Sequence, residues 1–272
     1  MPIDAVQGQI LRILARHRNP DSYVAGGIIS AMDGARYSSD IDIFNSSSDS
    51  TLAAYVADRK VLEDHDFRVD PIVQPRPGFC RAVVESPSGE RMKMDWAHES
   101  SFRFFPVMED ELTGYRLHWL DAATNKVLAA ASREKARDSF DLLHWHGNPL
   151  SMGALIWAAV AKDPGYSPDL LLDQIIWNAR LSPEDLRILR TTSPVDPVDF
   201  KRRFRQAGEE ARDLFGLLPA DTVGKVFLSV DGQPLEPDPG RPETLAAPFE
   251  ATDRGCWPNF PDRNSLPELS GP

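Results

Sequence analysis

Cysteine is scarce in this 272-residue chain: Cys80 and Cys256 stand far apart, in no Cys-x-x-Cys pair and with no histidine at metal-binding spacing. Neither a disulfide framework nor a zinc module is indicated, and a reducing compartment suits the composition. Long apolar runs are missing as well. The longest, residues 154–161, falls far short of the roughly 18 residues that a membrane-spanning helix needs. The opening MPIDAVQGQI lacks a basic stretch followed by an apolar one. The expectation is a soluble, cytoplasmic protein that makes no use of a membrane. Positive charge is also in deficit, with 30 Lys and Arg against 41 Asp and Glu and a formal net charge of −11. That argues against a general affinity for nucleic acid while leaving room for a local basic groove. What remains is ordinary globular material, 42% hydrophobic and 26% charged. The chain is long enough to bury a core and shows no internal repeat.

The order of patterns predicts a change of architecture along the chain. Residues 4–18 carry Val6, Ile10, Ile13 and Leu14 at helical spacing and end in basic residues, which suit a helix carboxyl end. Residues 23–25 predict a short strand, Gly26-Gly27 a tight turn and residues 28–32 a short helix. Residues 39–44 alternate acidic and apolar side chains, the period-2 mark of a half-buried strand. A helix over 51–63 and strands at 67–69, 79–84 and 91–96 follow, separated by turns bearing Pro75, Pro77, Pro87 and Gly89. From about residue 120 the patterns are helical, beginning with one long run over 125–145. Residues 225–230 read as a last strand. Nine of the 23 prolines lie in 231–272, which predicts an irregular tail. The expected fold is α+β: a small mixed β-sheet domain (1–118), a helical domain (119–220), and a short strand with a Pro-rich tail (221–272).

The chemistry concentrates between Gly26 and Asp42. On a strand, Asp40 and Asp42 point the same way while Ile41 and Ile43 anchor the opposite face. Two such carboxylates repel unless something neutralises them. Mg²⁺, or Mn²⁺ in its place, does so with a few carboxylate oxygens and the phosphates of a substrate. The Gly26-Gly27 turn lets backbone N–H groups approach a phosphate without a Cβ in the way. A third acid, Asp95, shares a strand face with Arg91 and Lys93, opposite Met92, Met94 and Trp96. Three carboxylates on neighbouring strands can hold two ions that activate an attacking hydroxyl and stabilise a pyrophosphate leaving group. That is nucleotidyl transfer from an NTP.

This succession of Gly-Gly, short helix, Arg36-x-Ser38-x-Asp40-x-Asp42 and the later Asp95 resembles the nucleotidyltransferase superfamily that includes DNA polymerase β. More narrowly, it resembles the AbiEii-type nucleotidyltransferase toxins of type IV toxin–antitoxin systems. Their second motif is a helix bearing a Lys, a basic stretch and Arg-Asp-x-x-Asp-Leu. Here that is Asn125-Lys126-Val127-Leu128 with Arg133, then Arg137-Asp138-Ser139-Phe140-Asp141-Leu142. The resemblance covers roughly residues 20–145 and departs in the C-terminal half. It implies that Asp40, Asp42 and Asp95 are metal ligands, with Asp95 a candidate base. It places Gly26, Gly27, Arg36 and Ser38 on phosphates and sets Lys126 toward the triphosphate with Asp138 orienting or neutralising it. Arg133 and Arg137 join Lys126 in a basic stripe if the helix is continuous. A tRNA acceptor and an antitoxin partner follow from the same resemblance.

Plainer readings compete residue by residue. Asp40-x-Asp42 alone suits a solvated edge strand, Gly26-Gly27 a plain turn, and Lys126 an exposed helix former. His144 and His146 are two apart on a helix and point to different sides, so they read as core or helix-end residues rather than ligands. Lys201, Arg202, Arg203 and Arg205 suit either an RNA backbone or a solvated helix face, since Glu209, Glu210 and Asp213 follow. Other readings keep the chemistry but move the acceptor to a protein side chain (AMPylation) or to a small molecule such as an aminoglycoside. A further one makes the chain a catalytically silent nucleotide-binding module, which the retention of all three acids disfavours.

Overall fold

Alternation along the predicted strands becomes a seven-stranded mixed sheet in the computed structural model, which describes residues 3–99, 102–246 and 248–249. The chain divides into two units, the first comprising 1–101 and 106–122, the second 102–105 and 123–272.

In the first unit, α1 (Ala5–Leu14) and a 3₁₀ turn lead to β1 (Ser22–Ala25), α2 (Gly27–Asp33), β2 (Asp40–Asn45) and α3 (Ser48–Glu63). Then come β3 (Arg68–Pro71), β4 (Phe79–Glu85), β5 (Arg91–His98), β6 (Met108–Asp110) and β7 (Gly114–Arg116). The strand order is β3-β4-β5-β2-β1-β7-β6. The β2 and β5 strands pair in parallel, Asp40 opposite Lys93 and Asp42 opposite Asp95. The β4–β5 hairpin is antiparallel and sets Arg81 opposite Asp95.

One sheet face is apolar and sealed: Ile41, Ile43, Cys80, Ala82, Val84, Met94 and Trp96 are all fully buried. Helix α3 covers it, with Tyr55 edge-on to Trp96 at 5.1 Å. Trp96 Nε1 donates to Asp58 Oδ2 at 2.8 Å, and the other oxygen of Asp58 pairs with Arg18, so this buried carboxylate has partners for its charge. Ser47 starts α3 by accepting from the Ser50 N–H, one of the orphan donors at a helix start. Gln7 of α1 donates to the Ser38 carbonyl at 3.0 Å and so ties the first helix to the segment before β2. The β6–β7 hairpin was not expected from the sequence. Its strands are three residues each, too short for alternation to register, and Val24 of β1 pairs in parallel with Arg116.

The second unit is helical. The helix α4 (Trp119–Ser132) enters it at Ala123. It is followed by α5 (Ala136–Trp145), α6 (Met152–Ala159), α7 (Pro168–Asn178), α8 (Pro183–Arg187) and α9 (Pro197–Leu217). The single helix expected over 125–145 is broken: 133–135 are not helical, so Lys126 does not share one straight helix with Arg133 and Arg137. The strand expected over 225–230 is two residues long, β8 (Val226–Phe227), and pairs with β9 (Pro248–Phe249). Residues 218–246 are built into the helical unit, where Leu218 and Phe227 bury against Trp157, flanked by Leu214, Phe215, Val223 and Leu245. Trp157 Nε1 donates to the Thr222 carbonyl at 2.7 Å. Of the expected irregular tail, 250–272, with Cys256, Trp257 and Phe260, lies outside the described residues. No described helix is long and apolar enough to cross a membrane.

Candidate active site

The sheet face opposite Trp96 carries the charged residues. Asp40 and Asp42 project from β2 while Ile41 and Ile43 between and after them are sealed in the core. Chain reversal at Gly26 depends on a φ of +69°, a region that glycine enters without steric cost. A Cβ at Gly26 would overlap Asp42 Oδ2. A Cβ at Gly27 would lie 3.1 Å from Ser38 Oγ, 3.4 Å from Arg36 Nη2 and 3.9 Å from Asp40 Oδ1. The glycine turn, Arg36, Ser38, Asp40 and Asp42 are therefore brought together around one point. Ser38 Oγ reaches the Asp40 backbone carbonyl at 3.0 Å and Asp40 Oδ1 at 3.3 Å. Arg36 is buried and donates to the Tyr37 carbonyl at 2.8 Å.

Asp95 stands on the same face but in different company. Arg81 Nε and Nη2 donate to its two oxygens at 2.8 and 2.6 Å, a bidentate charge-assisted pair. That pairing holds the Arg81 guanidinium above its ordinary pKa. Lys93 Nζ lies 3.0 Å from Asp40 Oδ2 and 3.8 Å from Asp95 Oδ2. Of the three carboxylates expected to group around metal, Asp95 is thus paired with Arg81 and lies 3.8 Å from Lys93 Nζ. Among the described residues no group of three or more His, Cys, Asp or Glu side chains is arranged to hold an ion. The hairpin register puts the Arg81 guanidinium on Asp95. Asp40 and Asp42, each with an oxygen beside the glycine turn, do fit one Mg²⁺ completed by phosphate oxygens.

The sequence reading did not single out Arg81. The turn at residues 86–90 could have found it, because a tight hairpin centred there sets Arg81 across from Asp95.

The second motif folds into a buried charge cluster of the helical unit. Lys126 Nζ lies 2.9 Å from Asp138 Oδ1 and 3.3 Å from Asp141 Oδ2, and Arg133 Nε donates to Asp138 Oδ2 at 2.7 Å. Burial pushes the Asp138 carboxyl up, but Lys126 and Arg133 together outweigh it and hold it below the usual range. Lys126 is thus not the exposed helix former of the plain reading. Arg137 lines a separate cavity of about 480 Å³ with Lys135, Leu181 and Ile188. His146 Nδ1 accepts from the Met152 N–H at 3.2 Å, a helix-end role. Lys201, Arg202, Arg203 and Arg205 are exposed on α9, and Arg202 pairs with Asp199.

No family model matches the sequence, and no curated protein matches it. Among solved structures the chain is similar to MenT4, a nucleotidyltransferase toxin from Mycobacterium tuberculosis H37Rv. The TM-score is 0.52 and the identity 18%, over 79% of this chain and 83% of that one. It is also similar to a candidate nucleotidyltransferase from H. pylori, with a TM-score of 0.47 and 15% identity over 79% and 98% of the two chains. The likeness to MenT4 establishes a shared nucleotidyltransferase fold.

Proposed function

We propose that this protein is a nucleotidyltransferase that moves an NMP from an NTP to a hydroxyl of tRNA, acting in the cytoplasm as a toxin of the AbiEii type restrained by an antitoxin. The observation that carries the reading is the convergence of Asp40 and Asp42 on the Gly26–Gly27 turn, on a fold shared with a nucleotidyltransferase toxin. Asp40 and Asp42 would hold Mg²⁺, which when bound neutralises the triphosphate and the leaving pyrophosphate. The glycine turn and Ser38 seat phosphate oxygens against the sheet, and Arg36 adds a buried positive charge beside them. The acceptor hydroxyl gives its proton to water as its oxygen bonds to the α-phosphorus; the bond from that phosphorus to the bridging oxygen breaks, and pyrophosphate leaves with that oxygen. Asp95 acts as a positioning residue that holds Arg81 on the sheet face. In the helical unit the resemblance assigns Lys126 to the triphosphate, with Asp138 as its anchor. The acceptor assignment rests on the resemblance and on the exposed run Lys201, Arg202, Arg203 and Arg205, a local basic strip on an acidic chain.

Incubation of the protein with each α-labelled NTP, Mg²⁺ and total tRNA tests this directly. The expected result is labelled tRNA from the wild type, with Asp42→Asn reduced about 10³-fold, several kcal/mol of lost transition-state stabilisation. Arg202→Glu combined with Arg203→Glu should reduce tRNA labelling, and the wild-type reaction should weaken steeply with salt. Equal labelling by Asp42→Asn would overturn the site. Labelling of protein or an aminoglycoside with none of tRNA would overturn the acceptor.

A further inference from the structure

We infer that the site takes one divalent cation with its nucleotide rather than two, and that the Lys93 ammonium fills the second cation's place. The inference rests on the nucleotidyltransferase reading above and departs from the pair of ions that three carboxylates would suggest.

An ion shared by β2 and β5 would draw on Asp95 together with Asp42, which stands opposite it, or with Asp40, and Lys93 Nζ already lies 3.0 Å from Asp40 and 3.8 Å from Asp95. Its backbone is fixed between Asp40 of β2 and Val83 of β4, which keeps the ammonium over this face. The oxygens of Asp95 are further committed to Arg81 through two short hydrogen bonds, one to each oxygen. A second metal ion would therefore have to displace the Arg81 guanidinium from Asp95 and compete there with the Lys93 ammonium.

Charge points the same way. Asp40, Asp42 and Asp95 contribute three negative charges, and Lys93 and Arg81 return two positive ones. One divalent ion then leaves the face positive toward a triphosphate. A second would crowd two more charges against a fixed ammonium and guanidinium, and like charges that close repel more strongly at a protein surface than in bulk water. Lys93 would supply part of what the second ion does, a positive charge at the reacting phosphate, and it would do so without needing to be recruited from solution.

The test is equilibrium dialysis of the full chain against Mn²⁺ and nucleoside triphosphates in which a methylene replaces the α,β-bridging oxygen, in adenine, cytosine, guanine and uracil forms. Bound Mn²⁺ and bound nucleotide are counted per chain. The wild type and Lys93→Arg are expected to retain one Mn²⁺ per bound nucleotide, and Lys93→Met, which keeps the length but loses the charge, to retain two. Two Mn²⁺ per nucleotide on the wild type, or one on a Lys93→Met variant that melts cooperatively, would overturn the inference and leave the nucleotidyltransferase reading standing. Were Lys93→Met not to fold, the wild-type and Lys93→Arg counts decide it. Absence of any bound Mn²⁺ and nucleotide on the wild type would overturn both.

Discussion

Replacing Lys126 by alanine is expected to destabilise the helical unit by about 3 kcal/mol, a large effect for a lysine on an Ala-rich helix. Lys126, Asp138 and Asp141 have side chains 9%, 0% and 3% exposed, and the ammonium sits within 3.3 Å of an oxygen of each carboxylate. Removing one partner of a buried ion pair costs about 3–5 kcal/mol, because the remaining charge stays desolvated. Arg133 remains on Asp138 at 2.7 Å, which moves the expectation to the lower end. At about 2–4 °C per kcal/mol for a domain of 150–250 residues, the melting temperature should fall by about 6–12 °C. Urea unfolding of the wild type, Lys126→Ala, and Lys126→Ala combined with Asp138→Asn and Asp141→Asn measures it, and the triple variant should recover much of the loss. The effect has a pH signature. The folded-state pKa of Asp138 is depressed, so its stabilisation is present above the unfolded value of about 3.9 and is lost as pH falls through the folded value. Wild type and Lys126→Ala should therefore converge in stability below about pH 4. A loss under 1 kcal/mol at pH 7, or one that does not change down to pH 3, would refute the buried-pair account.

Two further outcomes follow from single features. Burial holds the His118 imidazole down to about 4 against an ordinary 6.5. Stability should thus be complete above about pH 6.5 and decline by about 3 kcal/mol as pH falls toward 4, at about 1.4 kcal/mol per unit; pH-dependent denaturation of His118→Gln should lack that decline, and identical profiles would refute it. Truncation after Val230 removes Leu245 from the Trp157 cluster, the Leu235 N–H from the Phe227 carbonyl, and Glu236 from the Ser151 N–H. It should lower the melting temperature by several degrees, and an unchanged melt would show that these contacts add nothing.

The apolar–acidic alternation at Asp40–Asn45 was legible because burying Ile41 and Ile43 leaves Asp40 and Asp42 only one direction to face. The glycine turn was legible for a related reason, since Gly26 is the residue that allows both its φ and the close approach of Asp42. The break between α4 and α5 was not legible: Ser132, Arg133, Glu134 and Lys135 contain no Pro or Gly, and only the tertiary pairing of Arg133 with Asp138 marks the place. The burial of Lys126 was hidden because its partners come from the following helix. The fate of Asp95 turned on strand register, a property that residue type alone does not express. The two-residue β8 strand shows the opposite limit, a strong β pattern over residues 225–230 that closes on very little sheet.

The parallel pairing of β2 with β5 bears on how the protein is made. The strands that carry Asp40, Asp42, Lys93 and Asp95 lie more than fifty positions apart in the chain, with α3, β3 and β4 between them. No hairpin can template that pairing, and closing so long a loop costs entropy that only the finished sheet returns. Contacts of such sequence separation form slowly. A ribosome must release β5 before Asp40 meets its neighbours, so nascent chains ending before residue 91 carry the glycine turn and both β2 carboxylates without Lys93 or Asp95 beside them. During synthesis the cell therefore holds a chain whose paired acids are present but whose balancing ammonium from β5, Lys93, has not yet arrived.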